Sequence, residues 1–323
     1  MKNLLNLVFV ISFAINFLSA SEKSIRVGLI GLDTSHAPAF TKFLNDSTNE
    51  NHVPGAKIIA AYAGGSLDVE ASYTRVEKFT NQIRDEFKVE IVASISELLK
   101  KVDAVILTSV DGRVHLKQAG PVILANKPIF IDKPMAASLS DVIRIFELAK
   151  TENVPCWSAS SLRFFPNLQA AIKDTTMGKI LGCDAYSPAK YEPHHPDLFW
   201  YGVHGVEILF TVMGPDIKSV NRVYMEGTDL VTGIWEDGRI GTFRGTRMGK
   251  GKYGATIFFE KGVKHVEPDK GSLYNPLLKE IVRFFQTGKP PIEPKETIAI
   301  FKFMDAAQRC KDNDGRTINI SEE

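Results

Sequence analysis

Apolar and polar positions follow two different rhythms along this chain. From residue 25 to about 157, short apolar runs alternate with stretches of helical spacing. IRVGLIG opens the series. PAFTKFL follows it, with Phe40, Phe43 and Leu44 spaced for one helix face. AKIIAAYA (56–63) reads as a second buried strand and 71–87 as a polar helix, and VEIVAS leads to a short helix, SISELLKK. VDAVILTS (102–109) is a strong strand, and a helix near 113–125 precedes the strand PIFID (128–132). Ser138 and Asp141 form a capping-box pattern ahead of a helix lined by Val142, Ile145, Phe146 and Ala149. NVPCWSAS closes the series as a strand. This alternation predicts a parallel sheet covered by helices on both sides.

Beyond about residue 158 the rhythm changes. A helix (166–174) and a strand (179–187) lead into a loop rich in Pro and His. LFWYGVHGVEILFTVMG reads as one helix ended by Gly214. Then SVNRVYMEG, TDLVTGIWEDG, GRIGTFRGTRMG, YGATIFFEKG and VKHVEP follow with Glu-Gly, Asp-Gly and Lys-Gly turns, the signature of an antiparallel sheet. Two helices near 274–287 and 294–312 finish the chain. The expected fold is α/β: a doubly wound parallel sheet, then an α+β domain with a large, mainly antiparallel sheet. Its cleft belongs outside the C-terminal ends of the parallel strands.

The first residues fit neither rhythm. A short basic start precedes LLNLVFVISFAINFL, a 15-residue and mostly apolar run with Ala20 beyond it. That is short for a membrane span and suits a secretory signal peptide. The expected division is therefore 1–20 signal peptide, 21–157 nucleotide-type domain and 158–323 substrate and oligomerisation domain. The expected location is periplasmic or secreted, with no membrane contact after cleavage. With 323 residues, 44% apolar and 24% charged, the rest is ordinary for a globular protein. A net charge of +1 gives no bulk attraction to nucleic acid. Cys156, Cys183 and Cys310 form no C-x-x-C pair and read as buried thiols.

Four segments, in order, carry a resemblance. VGLIGLDTSHA sits at the first turn. DAVILTSVDGRVH ends in His115. KPIFIDKP looks like a Glu-Lys-Pro motif with Asp132 in place of Glu. WYGVHGVEILFTVMG is similar to a helix that usually reads D-x-G-x-H, and SSLRFFP, with Arg163, fits a further segment. Together they resemble the Gfo/Idh/MocA oxidoreductases over residues 24–323. The resemblance implies a Rossmann domain, NAD or NADP, and a carbohydrate or polyol substrate. It assigns catalysis to Lys133 and His204, with Tyr201 beside them. Cofactor contacts fall to Gly31, Leu32, Asp33, Thr34, Ser35 and His36, to Ser66, Thr108, Ser109 and His115, and to Asp132, Lys133 and Arg163. Substrate contacts fall to Lys133, His194, His195, Trp200, Tyr201 and His204. Association of copies through the C-terminal sheet is a further expectation.

The chain departs from the family in three places. Asp33 and His36 stand where the fingerprint has its second and third glycines. An acid there competes with phosphate for the helix N-terminus, unless His36 pairs with it or the residues only cap the helix. Gly64, Gly65 and Ser66 stand where an acid should bind the ribose. Ser66 or Arg75 would meet a 2′-phosphate, which leans the reading toward NADP. Trp200 replaces the Asp of the catalytic helix, leaving Tyr201, Glu207 or Asp197 to take its role. Three functions stay open: an exported oxidoreductase with free or bound, recycled cofactor (a transient-oxidation glycosidase included), a non-redox carbohydrate-binding protein, and a metal-dependent hydrolase or lyase using the histidine loop. The site is read without a metal.

Overall fold

The computed structural model describes residues 24–320 apart from Lys270 and Ser272, so the expected signal peptide lies outside the described residues. The first unit runs β1 (Ile25–Ile30), α1 (His36–Asn45), β2 (Ala56–Tyr62), α2 (Glu70–Tyr73), α3 (Val76–Asp85), β3 (Glu90–Ile91), α4 (Ile95–Leu99), β4 (Ala104–Leu107), α5 (His115–Leu124), β5 (Ile129–Asp132), α6 (Leu139–Thr151) and β6 (Cys156–Ala159). Its strands pair in parallel in the order β3-β2-β1-β4-β5-β6. Every residue of β4, β5 and β6 is buried, which is why these strands read as continuous apolar runs. The strand order reverses direction at β1 and β4, so a crevice opens there. Gly31 closes the turn after β1 with φ +88°, and a Cβ on it would lie 2.2 Å from the Ser109 nitrogen. Only glycine fits that crossing.

The second unit runs α7 (Pro166–Ile172), β7 (Ile180–Pro188), α8 (Asp197–Trp200), α9 (Val203–Met213), β8 (Ile217–Met225), β9 (Thr228–Trp235), β10 (Ile240–Thr246), β11 (Gly254–Phe259), β12 (Gly262–Val266), α10 (Tyr274–Thr287), α11 (Pro294–Asp312) and β13 (Ile318–Asn319). Its sheet has the order β12-β11-β7-β10-β9-β8-β13 and is antiparallel except for the β7–β10 pair. One face carries α9. On the open face Phe258, Ile240 and Ile234, on neighbouring strands, form an exposed apolar row.

Two local expectations change, and within VEIVAS Glu90–Ile91 forms the short edge strand β3. The polar helix at 71–87 is two helices, α2 and α3, parted at Thr74–Arg75. The helix through His204 is broken after Trp200. At the break a Cβ on Gly202 would lie 3.0 Å from the Leu198 carbonyl oxygen, so the chain passes closely over α8 before α9 begins.

Two features lock the units together. Helix α10 returns to the parallel sheet, where Phe284 meets Trp157 at 6.0 Å and Trp157 meets Phe130 at 4.8 Å. Each such fully buried aromatic contributes about 1.5–3 kcal/mol. Arg163, just beyond β6, donates from Nε to Glu207 of α9 and pairs through Nη1 with Glu296 of α11, both at 2.6 Å. Burial raises the Glu207 carboxyl, and the Arg163 charge opposes that rise. Removing the guanidinium strands two carboxylates. We therefore expect Arg163→Ala to cost about 3–5 kcal/mol in chemical denaturation; a loss under 1 kcal/mol would show that the clasp is not structural.

Candidate active site

A cavity of about 240 Å³ lies at the C-terminal ends of β1, β4, β5 and β6, roofed by the α8–α9 break. Lys133 and Pro134 reach it from β5, and Ser161 and Leu162 from the loop after β6. Trp200, Tyr201 and His204 come from the break itself, and Thr34, Ser35 and His36 from the start of α1. Arg75 enters from the α2–α3 junction, Tyr253 from the loop before β11, and Tyr274 from the first turn of α10. Among the described residues no acidic side chain lines it. Of the sequence-based catalytic trio, all three face this one cavity. Arg75 was read only as a phosphate contact. Tyr253 and Tyr274 carry no local motif, and the fold alone brings them here.

The side chains hold one another in place. Ser160 Oγ lies 2.7 Å from His204 Nδ1. Burial, and then the charges of Lys133 and His36, hold the His204 imidazole well below the ordinary histidine range. His204 is therefore neutral at pH 7. In the tautomer whose Nδ1–H donates to Ser160, Nε2 carries a lone pair. Lys133 Nζ stands 5.9 Å from the Tyr201 ring, and Tyr201 hydrogen-bonds Tyr253, whose phenol burial pushes up. Of the three residues expected to stand in for the Asp missing at 200, only Tyr201 meets His204, ring to ring at 5.3 Å. Tyr201 faces Tyr253, Glu207 serves Arg163, and Asp197 binds Arg222 and Lys311 at 2.8 and 2.7 Å. A carboxylate-oriented histidine exists elsewhere: His36 Nδ1 donates to Asp132 Oδ2 at 2.6 Å, and both are buried. Against the expectation, His36 does not pair with Asp33.

Asp33 is fully buried and points away from α1. It accepts the Val110 N–H at 2.9 Å and the Ser72 hydroxyl at 2.6 Å. Burial raises its carboxyl above the usual range, partly offset by these bonds. It therefore neither caps α1 nor shows its charge to the helix N-terminus. Ser35 makes no capping bond either, and its hydroxyl is bonded to the Tyr274 phenol.

The other expected cofactor contacts are turned inward. Leu32 is buried, with its N–H on the Ala63 carbonyl. Ser66 donates to Asp111 at 2.7 Å, and Thr108 to the Gly31 carbonyl at 2.7 Å. Ser109 donates to Gln118, and His115 is fully buried against the Ser109 and Met135 carbonyls. Arg163 is in its clasp. The histidine loop is corrected as well. His195 has a fully buried side chain, its Nδ1 2.7 Å from Glu192 and its Nε2 accepting the Gly112 N–H at 3.1 Å. It therefore joins the two units, and its ring packs on Trp200 at 4.9 Å. His194 pairs with Glu192 at the surface. Neither lines the cavity. Among the described residues no group of three His, Cys, Asp or Glu is placed to hold a metal.

A dinucleotide needs room along the whole crevice. The reaction end fits: Thr34, Ser35, Lys133, Ser161 and His204 surround open space beside the α1 N-terminus. Toward the far end stands the chain's own segment 66–72, tied by Ser66 to Asp111 and by Ser72 to Asp33. The groups suggested for a 2′-phosphate are redirected, since Ser66 serves Asp111 and Arg75 turns to the cavity.

Residues 25–160 match the family described as "Oxidoreductase family, NAD-binding Rossmann fold". No curated protein matches the sequence. Among solved structures, the chain resembles myo-inositol 2-dehydrogenase from Lactobacillus plantarum, with TM-score 0.77, 17% identity and coverage of 92% of this chain and 100% of that one. It also resembles apo scyllo-inositol dehydrogenase from Lactobacillus casei, with TM-score 0.76, 16% identity and coverage of 93% and 99%. A probable dehydrogenase from Thermotoga maritima gives TM-score 0.74, 20% identity and coverage of 92% and 99%. Residues 25–160 thus match the NAD-binding Rossmann domain of this oxidoreductase family, and the two-domain fold of these solved structures extends along nearly the whole chain.

Proposed function

We propose that this protein is an exported oxidoreductase that acts on a hydroxyl of a sugar or cyclitol with a nicotinamide cofactor. One observation carries the reading: Lys133 and a neutral His204 converge on one cavity at the switch-point end of the parallel sheet. Two of the similar solved structures are of inositol dehydrogenases, which supports a polyol as substrate. The nicotinamide supplies the hydride acceptor when it is bound. The chain's own residues do the rest. Lys133 positions the hydroxyl oxygen, and His204 Nε2 takes its proton. Aromatic faces of Trp200, Tyr201 and Tyr253 pack the carbon skeleton. His36, oriented by Asp132, stands on the same cavity as a second proton carrier. This pair puts a carboxylate–histidine relay back into the site at a different place from the usual one.

With polyol and cofactor supplied, Lys133→Met and His204→Asn should each lower kcat/KM by about 10²–10⁴-fold. His204 must be neutral to accept a proton, and its pKa is depressed, so activity persists as pH falls through the ordinary histidine range. It is lost only below that range. The Lys133 charge helps to depress this pKa, so Lys133→Met moves the acid limb of the pH–rate profile upward. An unmoved limb would remove His204 from the base role.

Segment 66–72 bears on cofactor binding through a population shift. If it must open, its closed form weakens the apparent affinity by the fraction that is open. Ser66→Ala/Ser72→Ala releases both ties and should tighten NAD or NADP binding in calorimetry by about tenfold. Unchanged binding would show that the segment does not gate the crevice. Export is tested by expressing the full chain in a Gram-negative host. The expected product is periplasmic and begins at Ser21; a cytoplasmic product that keeps Met1 would refute it.

A further inference from the structure

The cavity has an imbalance of charge that a neutral polyol leaves unanswered. Arg75 and Lys133 both line it, and no acidic side chain of the described residues does. Among the described residues neither cation pairs with a carboxylate. Arg75 spends its Nε on the Ala71 carbonyl. The two carboxylates that act on these cations are already committed. Asp132, next to Lys133 in sequence, has its bonded oxygen on His36. Asp33, whose charge acts on Arg75 from a distance, accepts from Val110 and Ser72. His36 and His204 add two more nitrogen donors or acceptors and no negative charge. Elsewhere in the molecule buried cations are matched: Arg163 has two glutamates, and Arg222 has Asp197 and Asp229. Arg75 and Lys133, half-buried at the cavity wall, have no such match among the described residues, and they mark where a ligand's anion belongs.

Size and walls narrow the ligand further. At about 240 Å³ the space is below the roughly 300 Å³ at the lower end of drug-sized sites, so it suits one compact molecule. Trp200, Tyr201, Tyr253 and Tyr274 give it ring faces and phenol hydroxyls, and Ser161 adds a further hydroxyl. We propose that the substrate is an anionic monosaccharide, a sugar acid whose carboxylate sits between Arg75 and Lys133 while its hydroxyls face the tyrosines and histidines. A sugar phosphate shares this chemistry. The inference rests on reading the cavity as the substrate site of the oxidoreductase.

The test is calorimetry on the mature protein at low salt, without cofactor, using a hexuronate, the matching neutral hexose, the hexose 6-phosphate and inorganic phosphate. The hexuronate should bind at least about thirtyfold more tightly than the hexose. Arg75→Met should lose about tenfold or more for the hexuronate and little for the hexose, while Lys133→Gln, which also removes the group that positions the hydroxyl, weakens both. The hexose thus serves as the folding control for Arg75→Met, and the thermal melts should be unchanged. Tighter binding of the hexose phosphate than of the hexuronate would keep the anionic sugar and assign the anion to phosphate. Equal binding of hexose and hexuronate would overturn the proposal, as would inorganic phosphate binding as well as either anionic sugar. A parallel titration with NAD and NADP separates the two readings. Hexuronate binding without nucleotide binding leaves this proposal standing and removes the redox one. Nucleotide-dependent oxidation of neutral polyols, with no preference for the acid, does the reverse.

Discussion

A buried carboxylate organises the crevice. Asp33 occupies the place where a dinucleotide fingerprint has a glycine, and it is completely enclosed. An unpartnered charge there would cost several kcal/mol, so its two hydrogen bonds are structural necessities rather than decoration. Those bonds come from Val110, beyond β4, and Ser72, in α2. The first draws the β4 loop across the turn after β1, alongside the close Gly31–Ser109 crossing. The second draws α2 inward over the crevice edge. Arg75 lies at the next junction and so ends at the cavity wall. One substitution in the turn thus ties both the β4 loop and α2 to the crevice, next to the cation that lines the cavity.

The same economy of charge governs the reaction end. Asp132 lies under the His36 ring, and its second oxygen is buried without a hydrogen bond. Burial alone would raise its carboxyl, yet the charges of His36 and Lys133 bring it below the usual range. A carboxylate held ionised beside an imidazole orients that ring through Nδ1 and leaves the other nitrogen for the cavity. His204 is oriented by a neutral hydroxyl instead, in a cavity with two cations, and its charged form is disfavoured. The two histidines are therefore unequal: His36 has a counter-charge and His204 has none.

Much of the fold was legible because it rests on local periodicity. The apolar strands, the Ser138 cap and both C-terminal helices follow from spacing and from Gly or Pro punctuation, and each stands where the pattern put it. The break after Trp200 was not legible, because the apolar run passes through it without a change of pattern and Gly202, packed on Leu198 four residues earlier, is its one local mark. Lys133, Tyr201 and His204 were legible through their motifs. Ser66, His195 and Arg163 were misread for one shared reason. Each is a polar residue near the crevice in sequence, but its partner (Asp111, Gly112 or Glu296) lies far along the chain. Composition cannot distinguish a polar group waiting for a ligand from one already satisfied. Arg75 shows the converse, since its importance comes from the partner it lacks.

The change at position 200 belongs to the same account. A carboxylate there would face Lys133 and Arg75 in a cavity that no other acid of the described residues lines, and it would neutralise them. It would also stabilise the charged form of His204, raising a pKa that the site now depresses. Trp200 instead gives the wall an aromatic face and packs on the buried ring of His195. Loss of the aspartate and survival of the unmatched cations are therefore one electrostatic event. The site exchanges an internal counter-ion for a vacancy that a ligand's own charge can fill. A buried carboxylate stands instead at Asp132, bonded to His36 Nδ1 and outside the cavity lining.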